Sequence, residues 1–174
     1  MGREIRRVPP NWEHPMNDNG AYRPMFDKSA TDAFNSWFAE FVEFKKKELD
    51  EVCAEYSYDR NDPYSAFCDY NGYPPNSEYY RPAWDEDTAT WWQVYETVSE
   101  GTPVTPPFET PEELIDYLVE NGDFWDQKRR AEGRAYIFPC DPWPREQAEK
   151  FVRSGFAVSM VVSDGKVMSG VEAL

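Results

Sequence analysis

The apolar part of this 174-residue chain consists largely of aromatic rings, and this constrains its fold more than any other feature. The sequence contains 7 Trp, 11 Tyr and 11 Phe, whereas Leu and Ile are scarce. Large rings bury much area per residue, and the polar edges of Tyr and Trp suit partly solvated positions. Because 15 Pro and 9 Gly interrupt regular structure, we expect long irregular connections between few regular elements.

Apolar residues recur at helical spacing in four segments. The clearest segment opens with Thr110-Pro111-Glu112-Glu113, a capping box with proline at the first helical position, and stops at Asn121-Gly122. The four predicted helices run from about Thr31 to Cys53, from the acids Asp85–Asp87 to Gly101, from Thr110 to Asn121, and from Trp143-Pro144 to Gly155.

A long segment rich in Tyr, Asn, Asp and Pro separates the first two predicted helices, from Tyr56 to Ala83. After Gly155, apolar residues alternate with polar ones on both sides of Asp164-Gly165, which favours a β-hairpin. We therefore predict a single α+β domain over residues 1–174, with three to four helices, long aromatic and Pro-rich loops, and a C-terminal β-hairpin. Residues 1–27 are predicted to form an extended arm packed on this domain.

The net charge of −15 is concentrated in the middle of the chain. Residues 48–126 carry 20 Asp/Glu and 2 Lys/Arg, whereas the segments before and after them are close to neutral. Nucleic acids and anionic membranes attract cationic groups, because binding releases counterions. This distribution argues against direct binding of nucleic acid or of an anionic membrane, and no apolar run has the roughly 20 residues that span a bilayer.

Residues suited to catalysis are few. His14 is the only histidine, and it lies beside Pro15 in the predicted arm. The sequence has no nucleophile elbow, no phosphate-binding Gly-rich loop and no Cys/His spacing typical of zinc sites. We therefore predict no catalytic residues and no cofactor, and we interpret the chain as a binding protein rather than an enzyme.

The segment from Asp59 to Asn71 places several carboxylate and amide oxygens close together, which hard cations favour. Its spacing fits no EF-hand pattern, and Asx side chains also stabilise turns through the local backbone. We expect turn formation rather than a metal site. The three cysteines have no closely spaced pair, which is typical of a reducing compartment.

The acids on the third predicted helix form a row. Glu112, Asp116 and Glu120 repeat at i, i+4 and i+8, opposite the apolar side. Like charges at this spacing destabilise a helix slightly, yet they present carboxylates about 6 Å apart, close to the phosphate spacing along one nucleic-acid strand. We predict that the partner-binding residues are Asp85, Glu86, Asp87, Glu112, Glu113, Asp116, Glu120 and Asp123; a merely solvated acidic surface is the alternative.

Two stretches resemble a group of small acidic proteins encoded by tailed bacteriophages and prophages. They are GREIRRVPPNWEHP, residues 2–15, and TWWQVYETVSEGTPVTPPFETPEELIDYLVENG, residues 90–122. The group has no assigned activity, so no residue role is transferred. The resemblance implies a phage product that acts in the host bacterial cytoplasm.

Phages commonly encode small acidic proteins that block host defence complexes, anti-CRISPR proteins among them. The resemblance and the charge together favour a binding protein that mimics nucleic acid at a basic surface of a host protein or ribonucleoprotein complex. A virion or assembly accessory protein is one alternative, and an enzyme with an unrecognised carboxylate or metal site is another. The sequence does not determine the oligomeric state.

Overall fold

The computed structural model describes residues 2–85, 87–97, 101–134, 140–163 and 165–174. They contain helices and strands in mixed order, so the α+β class is confirmed. The α-helices are α1 (Ala30–Lys47), α2 (Leu49–Tyr56), α3 (Pro63–Asn71), α4 (Pro111–Asn121), α5 (Phe124–Ala131) and α6 (Arg145–Ser154). The strands are β1 (Arg3–Val8), β2 (Phe26–Ser29), β3 (Tyr80–Arg81), β4 (Trp91–Glu96), β5 (Phe156–Ala157), β6 (Met160–Ser163) and β7 (Lys166–Ser169).

The chain divides into two compact units. Unit I comprises Met1–Pro24 and Trp84–Leu174, and unit II comprises Met25–Ala83. Each unit has its own apolar core.

Unit I is built on a three-stranded antiparallel sheet with β1 at its centre, between β4 and β5. The register sets Ile5 opposite Val94. Helices α4 and α6 pack together against this sheet, because their apolar faces meet β4 and β5 in one cluster. Its buried members are Val94, Val104, Leu114, Leu118, Trp143, Ala148, Phe151 and Ala157.

The segment Trp91–Glu96 is a strand, so the helix predicted between Asp85–Asp87 and Gly101 is wrong. Its apolar residues suited a helical face, but Trp, Tyr and Val also favour a half-buried pleated surface. Strand β4 pairs with β1 on one side, and on the other it bonds to the following segment, where Trp92 and Phe108 exchange both backbone hydrogen bonds. Gly101, with φ of +86°, lies directly before the second of these segments.

The predicted C-terminal hairpin is confirmed. Strands β6 and β7 pair antiparallel, with Val162 opposite Val167. Asp164 lies outside the described residues, and Gly165 takes the positive φ that such turns require.

Unit II packs α1, α2 and α3 around an aromatic core. Trp37, Phe44 and Phe67 are buried there, and Trp37 and Phe67 meet edge to face with ring centroids 5.3 Å apart. The helix predicted from Thr31 to Cys53 corresponds to two helices, because α1 ends at Lys47 and α2 begins at Leu49.

The long loop predicted from Tyr56 to Ala83 contains α3, a single 3-10 turn and β3. Helix α3 begins where the side chain of Asp62 accepts a hydrogen bond from Ser65 N–H and where Pro63 occupies the first turn. An Asp cap followed by proline is a helix start, which the loop interpretation overlooked. Six α-helices therefore occur among the described residues, more than the three or four predicted.

Candidate partner-binding surface

Helix α4 positions the predicted acidic row. Thr110 caps it through the N–H of Glu113, and Glu113 returns a carboxylate to Thr110 N–H, which completes the predicted capping box. Leu114 and Leu118 on the opposite side are fully buried. This orientation leaves Glu112, Asp116 and Glu120 exposed, about 6 Å apart in axial rise from one to the next. We call these three residues the α4 acidic face.

The middle carboxylate of the α4 acidic face is paired. Arg145 Nη2, at the start of α6, lies 2.7 Å from Asp116 Oδ1, and both side chains are more than half exposed. The hydrogen bond that Arg145 donates to Asp116 raises the pKa of Arg145. Within the part of the chain that the structure describes, Glu112 and Glu120 have no ion-pair or hydrogen-bond partner for their side chains. The face therefore presents two unpaired carboxylates on either side of an ion pair.

Glu113 is exposed but serves the fold. Its Oε2 accepts hydrogen bonds from the N–H groups of Glu109 and Thr110, at 3.1 and 3.3 Å. Carboxylates at this position also interact favourably with the positive end of the helix dipole. Glu113 is thus the one predicted contact on α4 with a structural role in the helix start.

Asp85 and Asp87 are exposed and lie in a turn before β4, not on a helix. The carbonyl of Asp85 closes this turn by accepting hydrogen bonds from the N–H groups of Thr88 and Ala89. Glu86 lies outside the described residues. The structure therefore gathers four of the predicted acids on α4 and places Asp85 and Asp87 in the turn before β4.

Asp123 does not belong to an exposed acidic surface, which corrects its inclusion among the predicted contacts. Only 1% of it is exposed, and its Oδ2 lies 2.6 Å from Nη2 of Arg3. Its Oδ1 accepts hydrogen bonds from the N–H groups of Trp125 and Asp126 at the start of α5. The pattern Asp123-x-x-Asp126 after Gly122 is a helix-start signal that sequence reasoning could have used.

Asp126 extends this buried network. Its Oδ2 accepts hydrogen bonds from Asp123 N–H at 3.2 Å and from Trp143 Nε1–H at 2.8 Å. Burial raises the pKa of Asp126, and the neighbouring charge of Asp123 raises it further. The network borders a cavity of about 1000 Å³ next to the C-terminal hairpin. The carboxylates of Asp123 and Asp126 hold the start of α5 and the Trp143 indole in place. Their contacts therefore give them a structural role.

The described residues contain no group of three or more His, Cys, Asp or Glu side chains arranged to hold a metal ion. In the segment considered for a cation, Asp59 accepts hydrogen bonds from Asn61, and Asp62 caps α3. Both acids therefore perform the turn and capping functions expected of Asx side chains.

His14 is buried in unit I, where sequence reasoning had no means to place it. Its Nε2 lies 2.7 Å from the carbonyl oxygen of Arg23, and its Nδ1 lies 3.1 Å from Oη of Tyr95. Burial lowers the pKa of His14, which favours the neutral ring. The imidazole thus links the backbone at Arg23 to strand β4.

No helix in the described ranges combines the length and apolar character that crossing a bilayer requires. Comparison of the chain with family models, with curated proteins and with solved structures gives no match.

Proposed function

We propose that this chain is a phage-encoded binding protein that inhibits a host defence complex in the bacterial cytoplasm. In this proposal the α4 acidic face occupies a basic surface that otherwise receives nucleic acid. The observation that carries it is the exposure of Glu112 and Glu120 on a helix whose other side is buried. The two carboxylates are about 12 Å apart along the helix axis and have no partner among the described residues.

The cost of the acidic row to α4 supports a role in binding. Like charges at i, i+4 destabilise a helix by a few tenths of a kcal/mol per pair. Asp116 belongs to both i, i+4 pairs, so its ion pair with Arg145 offsets part of this repulsion. Among the described residues neither Glu112 nor Glu120 forms an ion pair or a side-chain hydrogen bond, so their carboxylates are available to a partner.

The spacing and the charge fit a surface that binds a nucleic-acid strand. Helix α4 carries four acids and no basic residue, which favours a basic partner surface. Association should be fast and should weaken as salt rises, because electrostatic steering is screened within about 10 Å at 0.1 M ionic strength. Inhibition would arise from steric and electrostatic competition with the nucleic acid.

The test is affinity purification of the tagged protein from phage-infected host cells, followed by titration with the recovered partner. Glu112→Lys/Glu120→Lys should weaken binding at least about tenfold, which corresponds to about 1.4 kcal/mol. The matched control is Glu51→Lys/Glu55→Lys, which makes the same change in charge at two exposed positions of another helix, α2. Because Glu112 and Glu51 each lie in the first turn of a helix, both variants should lose a similar, small amount of thermal stability.

Equal affinity of the two variants would exclude the α4 acidic face as the binding surface. Recovery of a structural virion protein in place of a host complex would favour the assembly role instead. A complex whose affinity does not fall between about 0.05 and 0.5 M salt would contradict the electrostatic mechanism.

A further inference from the structure

Unit II exposes two neighbouring phenylalanines on α1. Phe34 is 46% exposed and Phe38 is 50% exposed, and their rings stack with centroids 6.2 Å apart and planes 15° apart. The adjoining face of α1 is buried through Trp37 and Phe44. Adjacent exposed aromatic side chains on one helix face are typical of an interaction surface.

These rings belong to a stripe with the spacing of a helix–helix contact. Thr31, Phe34, Phe38, Phe41 and Lys45 follow one another at intervals of three, four, three and four residues. This is the heptad spacing that keeps one face of a helix against another helix. We call these five residues the α1 stripe.

The α1 stripe carries no acid, although the chain is strongly acidic. The acids of α1 are engaged elsewhere: Asp32 accepts a hydrogen bond from the hydroxyl of Ser29, Glu40 accepts one from Asn71, and Glu43 pairs with Lys46 and Lys47. The Nζ of Lys45 lies 5.7 Å from the centroid of the Phe41 ring, so the lysine side chain continues the stripe beyond Phe41. A second helix can therefore approach this face without meeting a carboxylate on it.

We propose that the occupant of the α1 stripe is the α1 stripe of a second copy of this chain, packed antiparallel about a two-fold axis at Phe38. A two-fold axis supplies the same surface twice, so no further partner is needed. Lys45 stands seven residues after Phe38 and Thr31 stands seven before it. The axis therefore sets the Lys45–Lys47 end of each α1 beside the first turn of the other, which contains Asp32.

The charges of α1 favour this direction over the parallel one. Its last turn carries three lysines and its first turn carries Asp32. Parallel packing would bring together the two copies of Lys45, the lysine of this turn that has no ion pair with a described residue, and like charges in contact disfavour association. Antiparallel packing separates the clusters and pairs opposite helix ends.

The area of the α1 stripe suits a weak dimer. A buried Phe covers on the order of 200 Å², so the exposed half of two rings on each of two copies gives about 400 Å². The total buried area reaches roughly 1,000 Å², the lower limit for a specific interface, when the neighbouring residues of α1 are included with Thr31, Phe41 and Lys45. We expect a dimer that forms as concentration rises rather than an obligate one.

The test is the mass of the full chain by light scattering from about 1 µM to about 500 µM, a range that brackets weak interfaces. The mass should rise with concentration from 20.4 kDa toward twice that value. Phe34→Glu/Phe38→Glu should stay at the monomer mass. The matched control, Tyr73→Glu/Tyr79→Glu, changes two other exposed rings of unit II and should dimerise like the wild type. A wild-type chain that is monomeric throughout, or a double Phe variant that still dimerises, would overturn the proposal.

Two readouts separate this dimer from the proposed function. Dimerisation should strengthen with added salt, because two chains of net charge −15 repel each other, whereas binding through the α4 acidic face should weaken. Glu112→Lys/Glu120→Lys should leave the dimer intact. Loss of one activity without the other then identifies which proposal has failed.

Single cysteines test the direction of packing. The three native cysteines are buried, so a cysteine placed on α1 is the accessible thiol. Phe38→Cys should form a disulfide-linked dimer under mild oxidation much faster than Phe34→Cys, since only residue 38 meets its own copy at the two-fold axis. Equal rates for the two variants would overturn the antiparallel arrangement.

Discussion

Nη2 of Arg3 lies 2.6 Å from Oδ2 of Asp123, and both side chains are almost completely buried. Arg3 begins the central strand of unit I, and Asp123 caps α5, so one ion pair joins residues 120 positions apart. A buried pair of this kind adds little stability over an apolar pair, but removal of one partner leaves the other charged in a medium of low dielectric constant.

Replacement of Arg3 should therefore destabilise the folded protein strongly. Arg3→Met should lower the free energy of unfolding by about 3–5 kcal/mol, because Asp123 remains buried without its counter-charge. Equilibrium denaturation in urea measures this change. Arg145→Met, which removes the exposed partner of Asp116, is the control and should stay close to the wild type. If the two variants lost equal free energy of unfolding, burial would not be what makes the Arg3–Asp123 pair costly to break.

His14 should make stability depend on pH. Burial lowers its pKa in the folded state below the ordinary 6.5, so the unfolded chain takes up a proton first as the pH falls. The free energy of unfolding should be highest above pH 6.5 and should decrease as the pH falls from 6.5 toward the folded-state pKa, by at most about 1.4 kcal/mol per pH unit. Denaturation of the wild type and of His14→Gln at several pH values isolates this effect. Identical slopes in the two proteins below pH 6.5 would show that another group is responsible.

The features predicted well from sequence are those that local chemistry determines. Thr110 and Glu113 form the expected capping box, α4 ends at Asn121, and Gly155 follows the last residue of α6. Each is a cap or a stop whose geometry depends on a few neighbouring residues. The acidic row on α4 was predictable for the same reason, because helical spacing alone fixes which of its residues share a face.

The features missed depend on distant partners. Trp91–Glu96 suits either a helix or a strand, and its pairing with Arg3–Val8, some 90 positions away, decides for the strand. Asp123 was expected at the surface because its partner, Arg3, is also far away in the sequence, so the neighbouring residues do not reveal the ion pair. Charge alone does not reveal whether an acid is solvated or paired, and this distinction determines which acids remain in the candidate surface.

Gly101 should be intolerant of any side chain. Its φ of +86° is unfavourable for L-residues, and a Cβ there would lie 2.6 Å from Nη2 of Arg6 and 2.7 Å from the carbonyl oxygen of Glu96. Gly101→Ala should lower the free energy of unfolding by roughly 2–4 kcal/mol, from backbone strain and the clash together. In Gly155→Ala the φ is +74° but no described heavy atom lies within 4 Å, so strain alone should cost about 1–2 kcal/mol. Equal thermal and urea stability of the two variants would show that the backbone at Gly101 relaxes to accommodate the added methyl group.

Asp62 should act as a helix cap and not as a calcium ligand. Its side chain accepts a hydrogen bond from Ser65 N–H at 3.1 Å, and hydrogen bonding to Ser65 lowers the pKa of this carboxyl. Asp62→Ala should lower the melting temperature because α3 loses its cap, whereas Asp69→Ala, at an exposed position of the same helix, should leave it almost unchanged. Calcium at millimolar concentration should shift neither the wild type nor the variants, as scanning fluorimetry would report. A calcium-dependent rise in the wild type that both substitutions reduce would instead identify the segment from Asp59 to Asn71 as a cation site.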